Sequence, residues 1–343
     1  MDLNMIEIFF KIGRYLALTP TTTHNLKVTF SQKIYTILVI TFFTVGVTAG
    51  LQYRLEDYIS WPPMVAFLFI VTDVTRYLHN LYIFIFVMIL KRKLWFVLIA
   101  NLKKISIEQS LFFYFAVTYF CYILIFSCIF FVLYNTIDLH DFVRLYLVEF
   151  VQIFTQFFYL SFAQIVLKMI LLRYQHFKTT LHTQKTLHQI KTDQLRLKQT
   201  VDTFCEIFGG TILLNIIYNS LKSLIYLNKL IRTSSQISSS TSPILILMKL
   251  THIAIIGLFW VLIFWAIFLC DAIVNENEEI NKLLQTDPIF RKNKQFEKFL
   301  KTVLINKPKF SAARFFSIDR STIFQIMNSI VTFLIVVIQI KID

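Results

Sequence analysis

Three polar side chains stand at a helical spacing within an otherwise apolar stretch of the chain. Glu149, Gln152 and Gln156 follow one another at intervals of three and four residues, so a helix places all three on one face. A carboxylate and two carboxamides can hydrogen-bond a ligand, and such groups are expensive to bury in an apolar helix without partners. The pattern predicts a face that meets water or a polar small molecule.

Other apolar stretches carry polar residues in the same way. Further candidate ligand-binding residues are Asp73, Arg76, Asn219, Lys222, His252 and Trp260. Together with the first three, they predict a water-accessible cavity that binds a small molecule. Two alternatives remain open: Asp73 and Arg76 can simply neutralise one another, and Lys222 can extend to lipid head groups.

A further polar pair lies near the end of the chain, in the stretch TFLIVVIQI. Thr332 and Gln339 are seven residues apart, almost two helical turns, and therefore share one face. Val336 lies on that face between them. A lipid-facing helix does not need such a pair, so the glutamine either reaches interfacial water or has a separate function.

The elements that must position these residues are membrane helices. The 343-residue chain is 56% hydrophobic and contains 37 Phe, far more than a soluble domain uses. Apolar blocks long enough to cross a bilayer core of roughly 30 Å span 34–53, 61–90, 111–134, 145–172, 206–230, 244–270 and 319–341. We predict an all-α membrane protein with seven transmembrane helices, forming a single domain over residues 1–343.

Charge decides the predicted orientation. Lys and Arg number 24 in residues 1–33, 91–110, 173–205 and 271–318, whereas the alternate segments carry only Arg54, Arg144 and Arg232, and the C-terminal tail adds Lys341. Positively charged loops stay in the cytosol, so we predict a cytosolic N-terminus, an extracellular C-terminus and a cavity open to the outside. These loops also account for the formal net charge of +14, so nucleic-acid binding is not predicted.

The predicted organisation continues below the membrane. It consists of a cytosolic arm (1–33), six membrane helices (34–270) with a cytosolic helix extension (173–205), a cytosolic anchor segment (271–318) and a last helix (319–343). In the extension, Leu187, Ile190, Leu197 and Val201 form an apolar seam with Gln194 as its one polar break. Residues 287–305 have the apolar spacing of another helix. We expect both to pack in a helical bundle within and between subunits.

Patterns typical of enzymes and metal sites are missing from the sequence. His176, His182 and His188 are six residues apart, so they point in different directions from a helix, and no carboxylates accompany them. No nucleophile motif or glycine-rich phosphate loop is present. We predict neither an enzyme nor a cofactor. The four cysteines lie in or beside apolar blocks, so no structural disulfide is expected.

The stretch from Thr332 to Ile340 resembles the C-terminal signature of the insect gustatory receptors, which is Thr-Tyr, five hydrophobic residues and Gln-Phe. Here Phe333 stands at the tyrosine position, five apolar residues follow, and Ile340 replaces the phenylalanine. Residues 309–331 are similar to the segment that leads into this helix, and residues 9–20 to the amino-terminal arm. By this resemblance the chain is identified as a member of that family, which is related to the odorant receptors.

The resemblance implies a tetrameric, ligand-gated cation channel in the plasma membrane, in which the last helix of each subunit lines a central pore. Gln339 matches the pore-lining glutamine of the family, and Thr332, Val336 and Ile340 complete the expected pore and gate. Four carboxamides around one axis can close by hydrogen bonding or turn carbonyl oxygens towards a cation. The implied partners are a small-molecule tastant, membrane lipid, monovalent and divalent cations, and identical or related subunits in a chemosensory neuron.

The ligand class is less determined than the fold. Receptors of the sugar-responding branch resemble one another in placing Glu after the Thr-Tyr pair, and Leu334 occupies that position here, which disfavours a sugar. A solute transporter is an alternative, although inverted repeats with broken helices are not evident. A metabotropic heptahelical receptor is the other alternative, and it would have the opposite orientation.

Overall fold

The fold is almost entirely helical. The computed structural model describes residues 3–15, 30–103, 112–181, 187–234, 243–286 and 307–342. The helices are α1 (Leu3–Tyr15), α2 (Phe30–Ile59), α3 (Pro63–Leu81), α4 (Arg92–Lys103), α5 (Phe112–Thr136), α6 (Leu139–Phe142), α7 (Val148–Thr180), α8 (Leu187–Ser234), α9 (Pro243–Thr286) and α10 (Arg320–Ile342). π-Helical segments Tyr82–Leu90 and Val143–Leu147 follow α3 and precede α7, and an antiparallel hairpin of β1 (Ser311–Ala312) and β2 (Phe316–Ser317) precedes α10. The all-helical prediction is confirmed.

Helices cover all seven of the apolar blocks. Five described helices are long and apolar enough to cross a membrane: α2, α5, α7, α8 and α9. Block 61–90 corresponds to α3 and the wholly apolar π-helical segment after it, and block 319–341 corresponds to α10. The positions of the helices follow the prediction, whereas the count of seven spans and the orientation stay predictions.

Helix α7 is the centre of the bundle. Every residue from Phe157 to Leu167 is buried, which is expected for a helix that is apolar on all sides. It packs against α8 and α9, and Phe162 stacks on Trp95 of α4 and on Phe9 of α1. This packing holds the middle of α7 in the bundle, and Glu149 lies in the first turn of the same helix.

Helix α8 runs without interruption for 48 residues. As the sequence predicts, the apolar seam that begins at Leu187 and the fifth apolar block form one helix. Ile190, Leu197 and Val201 of the seam are buried, and the polar break is linked to α9 because Gln194 Nε2 donates to Asn281 Oδ1 at 3.1 Å. The predicted helix over 287–305 lies outside the described residues.

The β-hairpin before α10 is attached to helix α8 of the bundle. Ala313 and Arg314 turn the chain with φ of 51° and 67°, in the left-handed region that L-residues seldom adopt. Arg314 Nη2 pairs with Glu206 of α8 at 2.5 Å, and the backbone of the hairpin lies directly against Gly209 of the same helix. The hairpin is therefore fixed to α8 at two adjacent turns.

The start of α10 is held by a cap and an ion pair. Asp319 accepts hydrogen bonds from the Thr322 amide at 3.2 Å and from Ser317 Oγ at 2.7 Å, which is the geometry of a helix N-cap. Arg320 Nε lies 2.7 Å from Asp271 Oδ2 of α9. Helices α8 and α9 therefore both determine where α10 begins.

Candidate ligand cavity and its ionic network

Six helices enclose a cavity of about 350 Å³. Its wall is formed by α2, α3, α5, α8, α9 and the start of α7 with the π-helical segment before it. The volume is within the range of small-molecule sites, which are usually apolar clefts with a few polar groups. Its aromatic residues include Tyr58, Trp61, Phe69, Tyr146, Tyr218 and Tyr226. Ile129, Leu133 and Phe150 form an aliphatic and aromatic patch on another part of the wall.

An ionic network of five side chains lies at the polar part of the wall. Its members are Arg54, Asp73, Arg76, Glu149 and Lys222. Asp73 lies 3.2 Å from Arg54 and 2.6 Å from Arg76. Glu149 pairs with Arg76 and lies 3.5 Å from both Arg54 and Lys222. One network thus joins α2, α3, α7 and α8.

Three cations share two carboxylates in this network. Tyr58 Oη also donates to Asp73 Oδ2 at 2.7 Å, so each carboxylate has three hydrogen-bonding or ionic partners. Arg76 is 2% exposed, and a charge in such a position is stable only when it is paired. Asp73 and Arg76 do form the ion pair that the sequence allows. This pair is one part of the five-residue network.

Cationic and aromatic groups also meet at the edge of the cavity. Lys229 Nζ lies 4.9 Å from the ring centroid of Phe69 and 5.4 Å from that of Trp61, which is within the range of a cation–π interaction. Tyr226 stacks on His252 with ring centroids 5.8 Å apart. The wall can therefore hold an aromatic ring by stacking as well as a polar group by hydrogen bonding.

The structure brings together five of the nine predicted ligand-binding residues. Asp73, Glu149, Asn219, Lys222 and His252 line the cavity, and they come from four different helices. Each is a polar group in an apolar span, where its burial is costly. The structure places the five side chains around one cavity, and their contact with a ligand stays a prediction.

The other four predicted residues lie behind or away from the cavity wall. Arg76 supports the network from behind Asp73 and Glu149. Gln152 and Gln156 are fully buried inside the bundle, and both polar atoms of the Gln156 carboxamide have no hydrogen-bond partner among the described residues. Trp260 Nε1 donates to Ser223 Oγ at 2.9 Å, which links α9 to α8.

Sequence reasoning missed two residues of the site, Arg54 and Tyr58. The predicted first block ends at residue 53 and leaves Arg54 in a loop, whereas α2 continues to Ile59. The two residues are four apart, so they share one face of α2. Extending the helix by two turns would have identified that polar face.

The predicted pore residues all lie on α10. Thr332 is exposed, while the side chains of Val336, Gln339 and Ile340 are outside the described part of the structure. Helix α10 packs against α8 and α9. Its opposite side exposes Phe324, Val331 and Ile335, an apolar surface available to lipid or to another subunit.

Comparisons with known proteins agree on one family. The family model described as 7tm Chemosensory receptor matches residues 6–343. Gustatory receptor 68a of Drosophila melanogaster is 37% identical over 76 residues, a match that spans 21% of this chain and 19% of that receptor.

Solved structures show the same fold. The insect olfactory receptor OR5 from Machilis hrabei superposes with a TM-score of 0.68 at 14% identity, covering 98% of both chains. The structure of that receptor in complex with eugenol superposes with a TM-score of 0.69 at 12% identity, again with 98% of both chains covered.

Proposed function

Because this chain belongs to the 7tm chemosensory receptor family, we propose that it is an insect gustatory receptor, a cation channel of the plasma membrane that an extracellular small molecule opens. The family membership inferred from the Thr332–Ile340 stretch is confirmed. The observation that carries the functional proposal is the cavity between six helices, which joins an aromatic wall to the ionic network.

The cavity and α10 are connected through two long helices. Lys222 and Tyr226 of α8 and His252 of α9 line the cavity, and both helices also contact α10. A ligand shifts a conformational equilibrium only by its differential affinity for the two states. A ligand that changes how α8 and α9 pack around the cavity therefore changes the position of α10, which we propose lines the pore.

The pore of the proposed channel is formed by four copies of α10 around one axis. Gln339, Ile340, Val336 and Thr332 are the proposed pore-facing residues. In the closed channel the Gln339 carboxamides bond to one another, and in the open channel their carbonyl oxygens meet the cation. Subunits are identical or related, and lipid covers the outer surface.

The proposal predicts a direct, ligand-evoked current. In a cell without endogenous receptors, a broad chemical screen under G-protein block should yield at least one compound that evokes a rapid whole-cell cation current. A metabotropic receptor would lose its response under the block. A transporter would give a current that depends on the gradient of the transported solute. Absence of a rapid current for every compound would contradict the channel proposal.

The pore assignment predicts an altered channel when Gln339 is replaced by Ala. Loss of the carboxamide ring leaves an apolar helix that still inserts, so we expect a raised ligand-free leak and a changed permeability ratio among monovalent cations. The matched control is Ser329→Ala, because Ser329 is exposed on the same helix and its hydroxyl donates to the Gln325 carbonyl at 2.8 Å. Wild-type leak and ion preference in Gln339→Ala would show that Gln339 only anchors the helix at the interface.

The proposed orientation predicts where terminal tags are found. An epitope at the C-terminus should bind antibody on intact cells, and one at the N-terminus only after permeabilisation, because the positively charged loops stay in the cytosol. Two-colour labelling of one doubly tagged receptor measures both ends in the same cell. Reversed labelling would contradict the orientation and place the cavity on the cytosolic side.

A further inference from the structure

The ionic network has more positive than negative charge. Arg54, Arg76 and Lys222 face two carboxylates, Asp73 and Glu149, which leaves an excess of one positive charge. The network lies among side chains that are mostly out of water, where an uncompensated charge is costly. An anion in the cavity would balance it.

Lys222 is the cation with the most capacity left for a ligand. Its ammonium group has three donors, and its one ion pair in the described part of the chain, with Glu149, is long at 3.5 Å. The Lys222 side chain is 29% exposed and lines the cavity, whereas Arg76 is almost fully buried. Arg54 also lines the cavity, so a ligand can meet two cations at the same place.

The two carboxylates are poorly placed to bind a cationic ligand. Asp73 already forms ion pairs with Arg54 and Arg76 and accepts a hydrogen bond from the Tyr58 hydroxyl. Glu149 forms ion pairs with both arginines and with Lys222. An ammonium ligand would have to displace one of these partners and would add a second excess positive charge. Electrostatics therefore favours an anion over a cation at this site.

We propose that the cavity selects small amphipathic molecules that carry a carboxylate, with Lys222 as the principal anchor and Arg54 as the second. The apolar part of such a ligand fits against Ile129, Leu133 and Phe150, which line the same cavity. This inference rests on the proposed function only in taking the cavity as the ligand site, and it concerns binding rather than conduction.

Binding of matched acids, amides and amines to the purified full-length receptor tests this selectivity. The probes are benzoate, phenylacetate and hexanoate, the three corresponding amides, and benzylamine, phenethylamine and hexylamine. Dissociation constants come from ligand-dependent thermal stabilisation at neutral pH. We expect at least one acid to bind about tenfold or more tightly than both its amide and its amine, as a charge-assisted contact to a partly buried lysine would give.

Three variants identify the side chain that recognises the negative charge of the ligand. Lys222→Gln should abolish the preference for acids, and Lys222→Arg should retain it. Lys222→Gln leaves two cations for two carboxylates, so the network stays paired and the melting temperature verifies folding. Lys229→Gln removes the same charge from the cavity wall but outside the network, and it should retain the preference.

The outcomes separate the ligand class from the channel proposal. The inference is overturned if no acid binds more tightly than its amide, if the amines bind best, or if Lys222→Gln keeps the preference for acids. A receptor that binds acids without passing current would refute only channel activity. A channel opened by neutral compounds, with acids bound no better, would refute only the ligand class.

Discussion

Replacing Glu149 by glutamine should destabilise the receptor more than any other single charge removal in the cavity wall. Glu149 is the partner of Arg54, Arg76 and Lys222, so its neutralisation leaves three cations with Asp73 alone. Breaking a buried ion pair from one side typically costs about 3–5 kcal/mol, a large part of the roughly 5–15 kcal/mol that stabilises a folded domain. The expected result is a marked drop in melting temperature of the purified protein and a reduced amount at the cell surface.

Two further variants distinguish the network from a general effect of removing an acid. Glu278→Gln removes a carboxylate that pairs with Lys307 at 3.0 Å, with both side chains about two-fifths exposed, and such surface pairs contribute only about 0–1 kcal/mol. Glu149→Gln combined with Lys222→Gln restores the original excess of one positive charge and should recover part of the loss, which a double-mutant cycle measures. Equal melting temperatures for Glu149→Gln and Glu278→Gln would contradict the importance of the network.

The helices could be predicted from the sequence because apolar length is a local property. Seven blocks of apolar residues correspond to helices, and the continuity of α8 follows from the absence of helix breakers between its apolar seam (Leu187–Val201) and the fifth apolar block. Boundaries are less accurate, since most of the residues that extend α2 from Arg54 to Ile59 are polar. That error concealed Arg54 and Tyr58.

The pairing within the site could not be predicted in the same way. The cost of charges in apolar spans marks Asp73, Arg76, Glu149 and Lys222 as special, but their partners depend on how each helix is rotated in the bundle. The stripe of Glu149, Gln152 and Gln156 illustrates this. The spacing of the three residues indicates one polar surface, but α7 is surrounded by other helices. Only Glu149 lines the cavity, and the two glutamines are buried between helices.

The proposed connection from the cavity to α10 depends on a contact that no sequence pattern encodes. Gly209 lies on the face of α8 that meets the β-hairpin, and the hairpin leads directly through Asp319 into α10. The Gly209–hairpin contact is between backbones, because a Cβ at this position would lie 2.7 Å from the Ser311 carbonyl oxygen and 2.9 Å from the Ala313 nitrogen. Glycine permits this approach. We therefore expect a movement of α8 to reach the start of α10 through this backbone contact.

Replacing Gly209 by alanine should uncouple ligand binding from current. The added methyl group must displace the hairpin, because backbone atoms cannot rotate away as a side chain would, and overpacking of this kind costs about 1–3 kcal/mol. An energy of that size changes a conformational equilibrium by roughly 5- to 150-fold. We expect ligand-evoked current, normalised to receptor at the cell surface, to decrease by a factor in that range. The affinity measured by thermal stabilisation should decrease by no more than the same factor, because binding and opening are linked.

Gly257 of α9 supplies the matched control for this substitution. A Cβ at Gly257 would meet nothing within 4 Å, and alanine is favoured over glycine in a helix by about 0.5–1 kcal/mol. Gly257→Ala should therefore preserve both current and affinity and slightly raise the melting temperature. If Gly209→Ala also gave normal current at normal surface density, the close backbone contact would not transmit the signal. The coupling would then run through the neighbouring ion pairs, Arg314 with Glu206 of α8 or Arg320 with Asp271 of α9.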